Sequence, residues 1–502
     1  MLQEVLAGIF NLQNLLMMNI GLAAGVIIGA LPGLNVIFAI TVLMPLTFDM
    51  PSTAGIMMLL GAYCGAMYGG SITAILLNTP GTPASVATTF DGYPLAQKGR
   101  AGDALKTALI GSTFGGLISA LLLLFLAPTI AKLILNVGSP EYFSLCIFGI
   151  FAAVGIAGDG NIVKGIIGAL IGLFLSTVGM DTFEGTARYT FGEPKLLAGL
   201  KEAVIMLGTY ALSEVLIKSR EIYKGIYKPV PKVTFKKASI KISEILNYKA
   251  TLIKSSLMGT IIGAVPGTGG AIAAMFSYTE ARRSSKHPEE FGTGCIDGVL
   301  ASETGNNAVT GATMIPLLTF GIPGDAAVAI LLSAMTMQGI SVGTQLFTSG
   351  NPWVYIIMGG LVVVNLFMLL QGSLFIKAFA NVTRVPLAVI LPIVAILCTI
   401  GTFAIGNNYF DIRIMLVFGL MGYLMKLFNF PIPPLTIGLV LGNLMESNLR
   451  RSLLLSDGSF SIFFTRPFSL VILIISFASL FYPMIHSALV KRKTAKSGIV
   501  SK

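Results

Sequence analysis

The stretch LLNTPGTPAS (76–85) breaks an apolar run with Asn78, Thr79, Thr82 and Ser85, set around Pro80, Gly81 and Pro83. Such a set suits anion capture. Pro83 fits the first position of a new helix and Thr82 its N-cap. A helix start presents free N–H donors and a partial positive charge, to which Asn78, Thr79, Thr82 and Ser85 would add side-chain donors. A related break, GIPGDAAVAI (321–330), places Asp325 after Pro323 and Gly324. That carboxylate could cap the following helix itself, filling the anion position, or ligate a cation. Two further breaks carry Pro-Gly with small or hydrophilic residues: ALPGLN (30–35) with Pro32, Gly33 and Asn35, and AVPGTGG (264–270) with Pro266, Gly267, Thr268 and Gly269.

Two polar clusters lie beside these breaks. AMYGGSIT (66–73) supplies Tyr68 and Ser71, and ASETGNNAVTG (301–311) supplies Ser302, Glu303, Thr304, Asn306, Asn307 and Thr310. Unwound carbonyls with Asn, Thr, Ser and one carboxylate would suit a hard monovalent cation. Each feature also has a plainer reading, as a short extramembrane turn or an interfacial polar group.

These residues matter because of where the chain must live. It has 502 residues, is 54% hydrophobic and only 11% charged, with a mean hydropathy of +0.85. Soluble domains carry roughly 25% charged residues, so this chain cannot cover a soluble surface. Runs such as 117–134 and 469–486 approach the ~20 residues that span a bilayer. The expected fold is an all-α polytopic membrane protein of about 12 transmembrane helices. In lipid, irregular backbone is tolerated only inside protein or beside a water-filled cavity, so each break implies buried polar surroundings.

The formal charge of +11 does not point to nucleic acid. Ten Lys/Arg fall between Lys218 and Lys254 against Glu221 and Glu244, and the C-terminus reads KRKTAK (491–496). Basic segments flanking apolar spans mark cytoplasmic loops. Cys64, Cys146, Cys295 and Cys398 are scattered singly, with no CxxC pair, and read as packing residues rather than disulfides or a zinc site. The first basic residue is Lys98, so a cleaved signal peptide is not expected. No nucleotide-binding GxxxxGK[ST] loop occurs, and His287 and His486 offer no HExxH site and little for a catalytic triad. The chain reads as a non-enzyme.

The sequence also repeats itself. GVIIGALPG (25–33) matches GTIIGAVPG (259–267) at seven of nine positions. The breaks at Pro80-Gly81 and Pro323-Gly324 follow in the same order, and IMLGTYALSE (205–214) resembles LVLGNLMESN (439–448). Offsets of 234 to 243 recur. We expect a first membrane repeat at 1–218, a basic cytoplasmic linker at 219–250, a second repeat at 251–466, and a final span with a basic tail at 467–502. Duplication with interrupted helices in matching places points to a secondary-transporter site. Parallel and inverted arrangements both remain open.

From YGGSITAILLNTPGTPASVATTFDGYPLAQKGRAGDAL (68–105), through GALPGLN, GAVPGTGG and the 301–335 block, to GNLMESNLRRSL (442–453), the chain resembles the large membrane subunit of the tripartite tricarboxylate transporters, the TctA family. The resemblance implies a multi-pass permease of the bacterial inner membrane. It implies two partners, a small membrane subunit of about four spans and a periplasmic solute-binding protein. It also implies uptake of citrate-like di- and tricarboxylates driven by an ion gradient. No cofactor is expected beyond a coupling cation, Na+ or H+. A passive anion channel, or a transporter of another organic acid, is the alternative. The expected carboxylate site comprises Asn35, Ser71, Asn78, Thr79, Thr82, Ser85, Thr268 and Gly269. The expected cation ligands are Glu303, Asn306, Asn307 and Asp325.

Overall fold

A computed structural model describes residues 2–134, 137–157, 162–226, 238–347, 351–382 and 385–496. The middle of the expected basic linker (227–237) and the end of the expected tail (497–502) lie outside the described residues, as do the side chains of 482–496, which include His486 and the KRKTAK run. Among the described residues the regular structure is helical apart from one hairpin of two-residue strands, β1 (Gly179–Met180) with β2 (Ala187–Arg188).

In chain order the first helices are α1 (Leu2–Phe10), α2 (Leu12–Gly29), α3 (Val36–Leu43), α4 (Ser52–Leu77), α5 (Val86–Leu95) and α6 (Ala101–Ile134). Then come α7 (Ser139–Ala157), α8 (Ile162–Ser176), the hairpin, α9 (Glu202–Met206), a π turn (Leu207–Leu212) and α10 (Ser213–Tyr223). The rest are α11 (Ile242–Leu246), α12 (Lys249–Gly263), α13 (Gly269–Ser284), α14 (Ile296–Ala312), α15 (Met314–Phe320), α16 (Ala326–Met337) and α17 (Trp353–Val382). They end with α18 (Leu387–Gly406), α19 (Tyr409–Leu427), α20 (Ile432–Leu455), α21 (Ile462–Thr465) and α22 (Pro467–Lys496).

Five described helical runs are long and apolar enough to cross a membrane: 12–29, 52–77, 83–130, 353–382 and 387–406. Five shorter apolar helices accompany them, among them α8, α16 and 36–47. These long and shorter apolar helices together fit the expected all-α polytopic membrane fold. Matched element order surrounds the expected breaks. The succession α2, turn, α3, α4, break, α5 is paralleled by α12, turn, α13, α14 with α15, break, α16.

The chain divides into two compact units that cut across this order. One contains Met1–Leu133 and Ala203–Tyr423, the other Ile134–Glu202 and Leu424–Lys502. In the first unit, α2 and α4 meet along facing glycines. A methyl added to Gly25 would lie 2.9 Å from Ala62 Cα, and one on Gly29 would lie 2.9 Å from Ala66 Cα. In return, Gly61, Gly65 and Gly69 face Leu22 and Val26 backbone. Small residues permit such approach where lipid offers no hydrophobic drive between helices. The pair α12 and α14 repeats the device, with Gly259 and Gly263 against Gly305, Ala308, Val309 and Ala312. Within the same unit the π turn packs on α18 and α19, Gly208 against Met415 and Gly422 against Thr209.

In the second unit α20 packs on α7 and α8, with Gly438 against Ala169 and Gly442 against Ser176. The hairpin covers a cavity of about 330 Å³ lined by Arg188, Glu202, Asn443 and Glu446. Its edge is tied by ions. Arg188 reaches Glu446 at 2.7 Å, and Arg450 bridges Asp181 and Glu446 at 2.9 Å each. The Phe183 N–H, with Arg450 and Arg188 beside it, holds the Asp181 carboxyl below the usual carboxylate range against the cost of its burial.

Candidate functional site

The expected breaks fall between helices. Pro32 and Gly33 lie in the turn between α2 and α3, Pro266 and Gly267 between α12 and α13, and Pro323 and Gly324 between α15 and α16. Pro80 and Gly81 follow α4, which ends at Asn78 in the left-handed region (φ 54°). Pro83 opens a short 3-10 turn that runs into α5, flanked by an extended Thr82. Ser85 Oγ accepts from the Thr82 N–H at 3.2 Å and donates to the Thr82 carbonyl at 2.8 Å. Gly81 is wedged against Gly70, its N–H bonding the Gly70 carbonyl at 3.2 Å, with no room for a side chain.

The polar clusters differ from expectation. Both 66–73 and 301–311 lie within continuous helices, α4 and α14, so SETGNN supplies no unwound carbonyls. Its polarity is instead met sideways. Each residue from Ser302 to Asn307 is buried, and their side chains look for partners on neighbouring helices. Glu303 is fully buried and receives hydrogen bonds from Thr88 of α5 and, at 2.9 Å, from Ser112 of α6. Asn307 Nδ2 donates to Ser112 Oγ at 2.9 Å, and Thr88 also meets Ser302 at 3.2 Å. Ser71 of α4 lies beside the same carboxyl without a hydrogen bond of normal geometry. Among the described residues no lysine or arginine pairs with Glu303.

Several buried polar atoms here have no hydrogen-bond partner among the described residues: Tyr68 Oη, Asn307 Oδ1, and both Oδ1 and Nδ2 of Asn306. A buried unsatisfied group costs about 1–3 kcal/mol, so four in one neighbourhood mark a place built for something polar. Asn306 is placed by the breaks themselves. A methyl added to Gly270 would lie 2.8 Å from Asn306 Oδ1 and 2.9 Å from both Ala84 Cβ and Met67 Cε. The start of α13, the turn before α5, α14 and α4 therefore converge there.

The other expected residues separate into groups. Thr82 and Ser85 are buried at this convergence, and Gly269 (φ 63°) precedes Gly270. Thr268 is turned to its own strand of backbone, its hydroxyl bonding the carbonyls of Ile262 and Val265. Asn78 and Thr79 are exposed at the α4 terminus. Asn35 caps α3, accepting from the Phe38 N–H at 3.0 Å, and α3 packs on α16 and α4. Asp325 caps α16, accepting from the Val328 N–H at 2.8 Å, with Tyr63 beside it. It is thus placed in a second cradle with different partners from Glu303.

Three participants were not singled out from sequence: Thr88, Ser112 and Asp91. Ser85, Thr88 and Asp91 recur every third residue after the break, which is a helical face, and that polar stripe was the available signal. Asp91 Oδ1 accepts from the backbone N–H of Gly292, Gly294 and Cys295 at 2.8–2.9 Å, while Tyr278 donates to Oδ2 at 2.8 Å. Asp103 likewise accepts from the N–H groups of Ser239 and Ile240 at 2.6 and 2.9 Å.

Helices that stop inside an apolar bundle, with polar side chains gathered at the stops, define a multi-pass α-helical membrane protein of the interrupted-helix kind. Residues 15–437 match the tripartite tricarboxylate transporter TctA family. The chain belongs to that family and is a membrane component of such a transporter. It is 34% identical over 479 residues, 95% of each chain, to an uncharacterized 52.8 kDa protein of the TAR-I ttuC' 3' region of Agrobacterium vitis. It is also 34% identical over 209 residues, 42% of this chain and 86% of the other, to a protein of the TAR-II ttuC' 3' region of the same organism.

Proposed function

We propose that the chain is the large permease subunit of a binding-protein-dependent secondary transporter that imports citrate-like di- and tricarboxylates with a cation, Na+ or H+. Its partners in this reading are a small four-span membrane subunit and a periplasmic solute-binding protein, in the bacterial inner membrane. The carrying observation is Glu303, a fully buried carboxyl held by two hydroxyls and no basic side chain among the described residues. A lone buried charge is costly, so this group calls for a cation or a proton. It lies one helical turn from the break: Thr88, which holds it, is three residues, about 4.5 Å of rise, beyond Ser85.

The energetics ask for such a companion. Moving a charge against 100 mV costs about 2.3 kcal/mol, so a trivalent anion entering a negative compartment faces roughly 7 kcal/mol from potential alone. Cations must accompany it for uphill uptake. Reconstitution of the chain with both partner proteins in proteoliposomes tests the reading. Accumulation of labelled carboxylate above equilibrium that collapses with the sodium or proton gradient supports symport. Equilibration indifferent to both gradients would show a passive pore instead.

A further inference from the structure

The two interrupted regions can be compared residue by residue at the offset of 243 seen in the sequence. That offset pairs Gly70 with Thr313, Gly81 with Gly324, Thr82 with Asp325, Ser85 with Val328, and Tyr63 with Asn306. Local packing follows the pairing. A methyl on Gly81 would lie 2.7 Å from Gly70 Cα, and one on Gly324 would lie 2.8 Å from Thr313 Cα. Each break is thus seated on the paired residue upstream, Gly70 within α4 and Thr313 at the junction of α14 and α15.

The chemistry at the two seats differs. In the second, the Asp325 carboxylate sits on the first turn of α16, accepting from Val328 N–H at 2.8 Å with the Ala327 N–H and the Tyr63 hydroxyl adjacent. The Tyr63 hydroxyl is itself fixed by Thr313 Oγ1 at 3.0 Å. In the first, Asp325 is replaced by the neutral Thr82 and Tyr63 by Asn306, whose amide is fully buried and has no hydrogen-bond partner among the described residues. One seat contains an internal carboxylate with a hydroxyl beside it. The other offers an unsatisfied buried amide in the place of Tyr63, beside a helix start where Thr82 and Ser85 bond each other, Thr82 N–H to Ser85 Oγ at 3.2 Å and Ser85 N–H to the Thr82 carbonyl at 3.0 Å.

The geometry points to Asp325 as a built-in stand-in for a ligand carboxylate. The seat formed by Thr82, Ser85 and Asn306 takes one carboxylate of the transported anion where the other seat holds Asp325, with Asn306 Nδ2 donating to it as Tyr63 is placed to serve Asp325. The chain consequently has one carboxylate seat and not two. This inference rests on the carboxylate reading above.

The test uses the purified full-length chain, sodium acetate and sodium citrate as probes, and sodium chloride at matched ionic strength as control. The readout is the thermal unfolding midpoint against probe concentration. The wild-type chain should be stabilised saturably by the carboxylates. Thr82→Asp, which repeats Asp325 at the first seat, should weaken the apparent affinity by at least about tenfold, the least a like-charge clash at this range produces. Thr82→Asn, similar in size but uncharged, should keep it within about threefold, since any remaining change is that of a neutral cap. Asn306→Leu should lose the response without added charge. Asp325→Gly should gain a second saturable carboxylate response.

A wild-type chain indifferent to carboxylate overturns the inference. So does equal response in Thr82→Asp and wild type, or equal loss in Thr82→Asn and Thr82→Asp. Failure of the symport reading would look different: uptake independent of both gradients, with these shifts unchanged.

Discussion

At Glu303, two hydroxyls and a buried position decide what the side chain can do. A hydrogen bond to a charged group is worth about 1.5–3 kcal/mol net, so Ser112→Ala is expected to change apparent cation affinity roughly 10-fold or more, weakening it for Na+ and tightening it for H+. Glu303→Gln removes the charge and is expected to abolish cation dependence of uptake while the protein still purifies as a folded species. Cation titration of uptake in proteoliposomes separates the two, and unchanged affinity in Glu303→Gln would remove it from the coupling role. Asp91 is a different kind of residue. Asp91→Ala strands three backbone N–H groups and is expected to cost on the order of 3 kcal/mol or more, read as a lowered unfolding midpoint, with Asp91→Asn intermediate because it keeps one acceptor. Asp181 gives a pH prediction. Its folded value is depressed, so its contribution is complete above the unfolded value of about 3.9 and is lost as pH falls through the lower folded value. Amide protection of 179–188 should therefore hold at neutral pH and fall only on the acid side. In Asp181→Asn that acid-side fall should be smaller, since Glu446 still ties Arg188.

At the scale of elements, the breaks were legible because Pro-Gly pairs act locally, Pro by removing a helix donor and Gly by admitting turn conformations, whereas single residues such as Gly25, Pro94 and Pro128 are carried inside helices. The polar cluster at 301–311 was misread for the opposite reason. Asn, Ser and Thr favour caps and turns when they compete with their own backbone, but in α14 they bond carbonyls of the intact helix, and Ser302, Glu303 and Asn307 also reach Thr88 and Ser112 on α5 and α6. Those partners lie 191 to 215 residues away, and no local pattern announces them. Helix contacts carry a further prediction. Gly25→Val would drive a branched side chain into Ala62 backbone. We expect a destabilisation of several kcal/mol, in the overpacking range of about 1–3 kcal/mol or beyond, and poor recovery of monodisperse protein on size exclusion. Val at exposed Gly185, which has open space around it but φ 67°, should cost only local backbone strain.

At the scale of the molecule, the N-terminal and C-terminal halves of the sequence each complete the packing of the other. Residues 207–223 from the first half pack on α18 and α19, and α20 from the second packs on α7 and α8. Cutting the chain within the basic segment near residue 230 and expressing either fragment alone should give protein that fails to accumulate, whereas coexpression should restore a complex that copurifies and melts cooperatively. A fragment that folds alone would contradict this interdependence. The sequence repeat foretold matching breaks, but this exchange of helices was not legible, because matched apolar faces cannot say which copy they will cover.

The facing glycines of α2 and α4 have a mechanical consequence. Side chains that interdigitate can hop between rotamers and let one helix slide past another. Here backbone rests on backbone, with Gly25 and Gly29 against Ala62 and Ala66 and nothing between them to rotate. The pair therefore acts as one stiff strut, whose softest points are its ends at Pro32-Gly33 and Pro80-Gly81. Bending energy applied to this part of the protein collects at those two joints, and the joint at Pro80-Gly81 carries the Thr82–Ser85 seat.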